Sequence, residues 1–126
     1  MRLLEEVVSI GPGREAVGRR LAKREDFYFQ GHFPGDPVVP AIILVEMVAQ
    51  AGGLAVGVPH PGEEPRPLQL RVAAIGSFKF PAAAKPGARL EATARVAGSL
   101  GGLYKIDGSV TADGIVVAAG NLILAG

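Results

Sequence analysis

The longest apolar run of the chain predicts one central helix. Residues 42–49 are apolar on every face of a helical wheel except at Glu46, so we expect this helix to be buried all round. Pro40 suits its first turn, and Gly52-Gly53 is expected to end it. A carboxyl group inside so apolar a helix is costly unless it has a partner or a function.

The second half of the chain predicts strands. Apolar and charged or polar residues alternate from Arg89 to Val96, with the period of two that is typical of a half-buried strand. Gly101-Gly102 and Asp113-Gly114 predict hairpin turns, and Ile115 to Leu124 predicts a further, largely buried strand. Another strand is expected from Arg14 to Ala22.

These elements indicate a single α+β domain over residues 1–126, with an antiparallel sheet wrapped around one long central apolar helix. Such a sheet would cover one side of the helix, with a partner protomer or a ligand on the other side, and it has free edges. Pairing one edge across a two-fold axis would protect it, so we expect a homodimer.

The amino-acid composition excludes several classes of function. The chain has 126 residues, no cysteine and a net charge of +1, with acidic and basic residues interspersed. The absence of a basic stripe argues against nucleic-acid binding, and the absence of cysteine excludes disulfides and thiolate chemistry. The sequence begins without the apolar run of a secretory signal, so a cytoplasmic protein is expected.

A membrane span is the alternative for residues 37–58, which are apolar and about long enough. Glu46 and Gln50 would then lie near the bilayer centre, where an ionisable group is expensive. Several glycines and prolines also interrupt the segment. We therefore expect no membrane span.

Two residues form a candidate acid–base pair. His32 lies in a Gly/Pro-rich loop, and a neutral imidazole can take a proton near neutral pH. Glu46 follows fourteen residues later, where desolvation favours the protonated form and makes it a candidate general acid. The alternatives stay open that His32 only packs the loop and that Glu46 is a buried carboxyl with a structural partner.

Gln50 and the helix start complete the candidate site. Gln50 lies one turn beyond Glu46 and could orient its carboxyl group. The unsatisfied N–H groups at Pro40-Ala41-Ile42 could polarise a carbonyl as enolate character develops. Together these groups suit removal of a proton α to a carbonyl with loss of a β-hydroxyl as water, by syn or anti elimination.

The run from His32 to Gln50 closely resembles the active-site motif of the 3-hydroxyacyl-(acyl carrier protein) dehydratases, hotdog-fold hydro-lyases of fatty-acid synthesis. The His-Phe-Pro loop, the prolines before the helix and the Glu-x-x-Ala-Gln sequence match in place. The likeness continues through Phe78-Lys79-x-Pro81, Pro86-Gly87 and Asp113-Gly114 to Leu124, over roughly four-fifths of the chain.

The resemblance implies a hotdog dimer with composite tunnels at its interface and with no metal or bound cofactor. His32 would act as base on (3R)-hydroxyacyl substrates, and Glu46 of the partner subunit would protonate the departing hydroxyl. The Ala41 N–H would hold the thioester carbonyl. The matching positions implied to line the substrate site are Phe33, Pro40 and Gln50.

The resemblance also implies a partner and an assembly. Acyl carrier protein would deliver the acyl chain and dock on basic surface, for which Lys79 and Lys85 are candidates. Assembly of the homodimer into a trimer of dimers stays open. His60, in a proline-rich loop, is expected to be a surface residue.

Three departures from the family pattern keep two alternatives open. Ala41 replaces a glycine, the spacing from Pro81 to Pro86 is two residues longer, and Met1-Arg2-Leu3-Leu4 match only the tail of an upstream segment that helps to cover the tunnel. A hotdog thioesterase would keep Glu46 without requiring His32. A non-catalytic acyl-binding or partner subunit would keep the fold alone.

Overall fold

One helix lies against one antiparallel sheet in the computed structural model, which describes residues 2–29, 35–57 and 70–126. The strands of the sheet are β1 (Glu6–Gly11), β2 (Glu15–Leu21), β3 (Arg71–Lys79), β4 (Arg89–Leu100), β5 (Leu103–Ala112) and β6 (Ile115–Ala125). Their order in the sheet is β1-β2-β4-β5-β6-β3. The helix is α1 (Ala41–Gly57), and a 3-10 turn spans Phe27–Phe29.

The predicted helix is confirmed, but it ends later than expected. It continues through Gly52-Gly53 to Gly57. A Cβ atom on Gly52 would come within 3.1 Å of Ile106 and Leu124, so this glycine allows the helix to approach the sheet. The Gly13 N–H donates to the Ala55 carbonyl at 2.8 Å and satisfies part of the last turn.

The single protomer leaves one side of α1 uncovered, the side on which a partner protomer or a ligand is expected. Met47, Val48 and Ala51 are fully buried, whereas Ile42 is 63% exposed. Glu46 is half-buried, and no charged side chain is fully buried in the described part of the chain. The reason is that the sheet covers only one side of the helix.

Both predicted hairpins are present. Gly101 and Gly102 have φ values of 57° and 82° between β4 and β5. Asp113 and Gly114 have φ values of 49° and 84° between β5 and β6. Two consecutive positive φ values suit the right-handed twist of the flanking strands. The predicted strand at residues 14–22 is confirmed as β2.

The two edge strands were not predicted. Four of the six residues of β1 are exposed and the other two are half-buried, so its sequence lacks the alternation of a half-buried strand. β3 is exposed over most of its length and pairs with β6 through two irregularities in register. An edge strand lacks a neighbour on one side, which weakens the pattern that burial imposes on sequence.

Small residues on the sheet let α1 pack closely against it. Ala92 and Ala94 of β4 are fully buried, and a Cβ atom on Gly108 of β5 would collide with Val48 and lie 2.8 Å from the Thr93 carbonyl oxygen. The helix therefore lies over a small-residue patch in the middle of the sheet.

Within the described ranges, no helix is long and apolar enough to cross a membrane.

We expect Gly108→Ala to lower the free energy of unfolding by about 1–3 kcal/mol, because the added methyl group overpacks the contact between α1 and the sheet. Chemical denaturation measures the change. Gly98→Ala is the matched control, since a Cβ atom there meets nothing within 4 Å. Equal effects of the two substitutions would contradict this account of the helix–sheet contact.

Candidate active site

The start of α1 is fixed by the segment that precedes it. The Val39 N–H donates to the Ala84 carbonyl at 2.8 Å, and the Pro40 carbonyl accepts the Ile43 and Leu44 N–H groups at 3.0 and 3.3 Å. Ala41 is the first helical residue and is exposed. The predicted helix start is thus confirmed one residue beyond Pro40.

The alanine at position 41 requires no unusual backbone. Of the non-glycine residues that the structure describes, Asp113 alone has a positive φ. Ala41 therefore keeps an ordinary conformation and its N–H group, and the methyl group lies at an exposed position. A glycine is not needed here for conformational reasons.

Glu46 and Gln50 lie one helical turn apart and are in contact, as predicted. The Gln50 Nε2 donates to the Glu46 Oε1 at 3.4 Å. Both side chains are half-buried. The contact gives the Glu46 carboxyl a polar neighbour that can orient it.

Gln50 is itself held by the N-terminal segment, residues 2–5, through a contact that was not predicted. The Gln50 Oε1 accepts the Leu3 N–H at 2.7 Å and the Leu4 N–H at 3.4 Å. Leu3 is fully buried. No sequence pattern could have indicated this contact, because its partners are 47 residues apart and one of them is a backbone group.

Glu46 opens into a cleft of about 610 Å³ between α1, the N-terminal segment and β3. Most of its lining is apolar. The lining residues are Arg2, Leu4, Val7, Glu46, Ala49, Gln50, Gly53, Leu54, Gly57, Leu70, Arg71, Val72 and Leu124. A carboxyl group in a mostly apolar cleft is suited to acid–base chemistry on an apolar substrate.

Ala41 borders a different groove of about 310 Å³, whose lining side chains are all apolar. Its lining consists of Val38, Val39, Ala41, Leu44, Phe80, Ala82, Ala83 and Ala84. Glu46 lies five positions beyond Ala41 in the helix, which amounts to roughly 7.5 Å of rise and roughly 140° of rotation. Ala41 and Glu46 of one chain thus border different clefts.

Of the six predicted site residues, the structure describes four. It brings Glu46 and Gln50 together and places Pro40 and Ala41 at the helix start. His32 and Phe33 lie outside the described residues, as does His60. Their predicted roles stay predictions.

A polar cluster lies between β2 and the 3-10 turn. The Arg20 Nη2 pairs with the Asp26 Oδ1 at 3.0 Å, and the Arg20 Nε donates to the Tyr28 hydroxyl at 3.1 Å. The Tyr28 hydroxyl donates to the Asp26 Oδ2 at 2.7 Å. The side chains of Arg20 and Asp26 are only 12% and 9% exposed.

Burial and hydrogen bonding shift the pKa values in this cluster. Burial raises the pKa of Tyr28 to about 12, and the hydrogen bond to Asp26 acts in the same direction. Burial also raises the pKa of Asp26, but hydrogen bonds from Tyr28, the Lys23 N–H and Arg20 outweigh it and leave that pKa lowered. Asp26 is therefore held as a carboxylate against the Arg20 guanidinium.

The candidate docking lysines are both exposed. Lys79 is the last residue of β3, and the Lys85 Nζ lies 3.3 Å from the Asp36 Oδ1 in an exposed ion pair.

Within the described ranges, no three His, Asp or Glu side chains lie together as metal ligands would.

Comparison with known proteins agrees with this architecture. Residues 1–121 match the FabA-like domain family. The chain is 34% identical over 124 residues to the 3-hydroxyacyl-[acyl-carrier-protein] dehydratase FabZ of Roseiflexus castenholzii, covering 98% of this chain and 84% of that protein. It is 34% identical over 121 residues to FabZ of Ruminiclostridium cellulolyticum, with coverages of 95% and 82%.

The chain belongs to this dehydratase family. It is accordingly an enzyme of the hydro-lyase class. The family membership confirms the resemblance that the motif from His32 to Gln50 indicated.

Solved structures show the same hotdog fold. The dehydratase heterocomplex ApeI:P from Xenorhabdus doucetiae superposes with a TM-score of 0.74 at 16% identity, covering 98% of this chain and 82% of that one. The PaaI protein of E. coli superposes with a TM-score of 0.71 at 17% identity, covering 95% and 77%. At these identities the likeness shows the fold alone.

We expect Asp26→Asn to lower stability at neutral pH by about 2–4 kcal/mol, because it leaves the Arg20 guanidinium without its charge partner. The folded-state pKa of Asp26 is lowered. Its stabilisation is therefore present above the unfolded pKa of about 3.9 and is lost as pH falls through the folded value.

Denaturant unfolding of the wild type and Asp26→Asn between neutral and acid pH measures this difference, which should shrink on acidification. Asp36→Asn is the control, because Asp36 is 71% exposed and its pair with Lys85 should contribute little. A difference between the wild type and Asp26→Asn that does not change with pH would contradict the assigned carboxylate.

Proposed function

We propose that the protein dehydrates (3R)-hydroxyacyl thioesters carried by acyl carrier protein to trans-2-enoyl thioesters in cytoplasmic fatty-acid synthesis. Its relatives from Roseiflexus castenholzii and Ruminiclostridium cellulolyticum are named 3-hydroxyacyl-[acyl-carrier-protein] dehydratase FabZ. The observation that carries the proposal is Glu46, a carboxyl group in a mostly apolar cleft whose neighbour Gln50 is held by two backbone N–H groups. The cysteine-free sequence suits a reducing compartment.

In the proposed mechanism, His32 removes a proton from the α-carbon of the substrate. The electron pair of that C–H bond forms the Cα=Cβ double bond, and the β-hydroxyl departs as water with a proton from the Glu46 carboxyl. The Ala41 N–H donates a hydrogen bond to the thioester oxygen as enolate charge develops on it. No metal or cofactor is required by this scheme.

Gln50 supports the proposed role of Glu46. An amide group presents an acceptor on one side and donors on the other, and the Gln50 oxygen is occupied by the Leu3 and Leu4 N–H groups. Its NH₂ group therefore faces the Glu46 carboxyl. This arrangement would hold the carboxyl in one orientation toward the cleft.

The apolar groove at Ala41 supports an acyl substrate. It contains no polar side chain among its lining residues, and it lies beside the N–H group proposed to bind the thioester carbonyl. An acyl chain placed there would exchange water contacts for contacts with valine, leucine, phenylalanine and alanine side chains. Phe33 and Pro40 are proposed to border the substrate as well.

The proposed enzyme is a homodimer with composite sites, which could assemble further into a trimer of dimers. Within one chain, Ala41 and Glu46 border different clefts. The exposed edge of β3, with Ile75 51% exposed, and Ile42 on the uncovered side of α1 provide apolar surface for a second copy. A partner there would supply Glu46 to the site that holds His32.

Acyl carrier protein would dock on basic surface of the protein. Lys79 is exposed and carries a positive charge that could meet the acidic surface of a carrier. Lys85 is 61% exposed but already lies near Asp36, so we expect it to contribute less. Both remain candidate contacts in this proposal.

We expect His32→Ala to reduce hydration of a crotonyl thioester by at least about 100-fold, because the reaction loses its proton-transferring group. The loss of enoyl absorbance measures hydration, the reverse reaction, with carrier-linked and coenzyme A substrates. His60→Ala is the matched control and should keep wild-type activity. It removes the second of the two histidines in the chain.

Three results would overturn the proposal. Near wild-type hydration by His32→Ala would exclude His32 as the base. Thioester hydrolysis by the wild type, in place of hydration, would indicate the thioesterase alternative, and acyl binding without either reaction would indicate a non-catalytic subunit.

Mixed dimers test the composite site. When His32→Ala and Glu46→Gln subunits are mixed in equal amounts, half of the dimers are hybrids, and each hybrid has one intact site if the residues come from different subunits. We expect activity to return to about a quarter of the wild-type value. No recovery, with subunit exchange verified by mass spectrometry, would place both residues in one subunit.

A further inference from the structure

The Arg20 side chain connects three segments that are separate in sequence. Its Nη1 donates to the Leu3 carbonyl at 3.0 Å, its Nε donates to the Tyr28 hydroxyl at 3.1 Å, and its Nη2 pairs with Asp26. The guanidinium carbon also lies 5.4 Å from the centre of the Tyr28 ring. Each guanidinium nitrogen thus has its own partner, and the rigid fork of donors fits them together.

The Leu3 backbone connects the Arg20 guanidinium to the candidate active site through hydrogen bonds. Its carbonyl oxygen accepts a hydrogen bond from Arg20, and its N–H donates to the Gln50 Oε1 at 2.7 Å. The Gln50 Nε2 then donates to the Glu46 Oε1 at 3.4 Å. A chain of three hydrogen bonds therefore joins the Arg20 guanidinium to the Glu46 carboxyl.

The Leu3 N–H is the shorter of the two backbone donors to the Gln50 Oε1 and helps to fix the orientation of the amide. If Leu3 moved away, the amide oxygen would lose its shorter backbone donor. The amide could then rotate and present its oxygen to the Glu46 carboxyl, where two acceptors would oppose each other whenever Glu46 is ionised. Holding Leu3 in place thus holds the donor side of Gln50 on Glu46.

We propose that Arg20 is a positioning residue for Glu46, acting through the Leu3 backbone and the Gln50 amide. This inference rests on the proposed function, in which Glu46 is the acid. Asp26 and Tyr28 anchor the guanidinium from the other side, and Leu4 helps by packing at Gly18, where a Cβ atom would come within 2.7 Å of it.

Arg20→Lys tests the proposal, because it keeps a positive charge beside Asp26 but loses the planar fork that reaches Leu3 and Tyr28 together. We expect kcat for hydration to fall about tenfold while KM changes less than about twofold, since the orientation of the acid is affected more than substrate binding. Arg19→Lys is the control on the same strand. Arg19 is half exposed and pairs with Glu6 and Glu91, so its kinetics should not change.

The route through Gln50 is tested by a double-mutant cycle. In a Gln50→Ala background the connection to Glu46 is already cut, so we expect Arg20→Lys to change kcat by less than about twofold there. The melting temperature should still fall in both backgrounds, because the cluster with Asp26 is disturbed in each. A full tenfold loss of kcat in the Gln50→Ala background would overturn the proposal, as would a loss of stability without any change in kcat.

Nuclear magnetic resonance separates this inference from the proposed function, since it requires no turnover. With Arg20→Lys we expect faster hydrogen exchange at the Leu3 amide and shifted Gln50 side-chain NH₂ signals, and with Arg19→Lys neither. Unchanged Leu3 and Gln50 signals in folded Arg20→Lys would overturn the positioning role. If the wild type failed to hydrate any enoyl thioester, the proposed function would fail, and these signals would still decide whether Arg20 holds Gln50.

Discussion

The apolar helix α1 packs on one face of the sheet, and this contact determines where the other parts of the molecule lie. α1 has apolar residues almost all round, and the sheet buries only the side that carries Met47 and Val48. Close approach requires small residues on the sheet, which Ala92, Ala94 and Gly108 provide. The other side of the helix must be covered by the N-terminal segment, by substrate or by a second chain.

That uncovered side is where the polar groups of the candidate site lie. Glu46 and Gln50 are only half-buried, so their polar atoms meet a mostly apolar cleft without being sealed in the core. Leu3 is fully buried against the helix and supplies the N–H that fixes Gln50. The N-terminal segment is therefore both a part of the core and a part of the site.

The sequence predicted those elements that burial marks with a clear pattern. The continuous apolar run identified α1, and the alternation from Arg89 together with two glycine turns identified β4 to β6. β1 and β3 were not predicted, because edge strands are mostly exposed and carry no regular alternation of apolar and polar residues. The prediction that α1 ends at Gly52 was wrong, since a glycine required for packing looks the same in sequence as one that ends a helix.

The candidate site was predictable only where its contacts are local. The pair of Glu46 and Gln50 follows from a spacing of four on a helix. The bonds from Leu3 to Gln50 and from Arg20 to Leu3 join residues far apart in sequence through backbone atoms, which any side-chain type could supply. Patterns of residue type therefore carry no signal for them.

The cluster of Arg20, Asp26 and Tyr28 is hard to explain by stability alone. The free-energy cost of removing two charges from water nearly cancels the free energy gained from their attraction. Apolar side chains of similar volume commonly stabilise a fold equally well. Apolar side chains could not donate to the Leu3 carbonyl, however, and the Arg20 Nη1 does so at 3.0 Å. The guanidinium pairs with Asp26, is hydrogen-bonded to Tyr28 and also holds a backbone group that leads to Glu46. Unlike an apolar cluster, this one therefore holds the N-terminal segment in a defined orientation through a directional hydrogen bond.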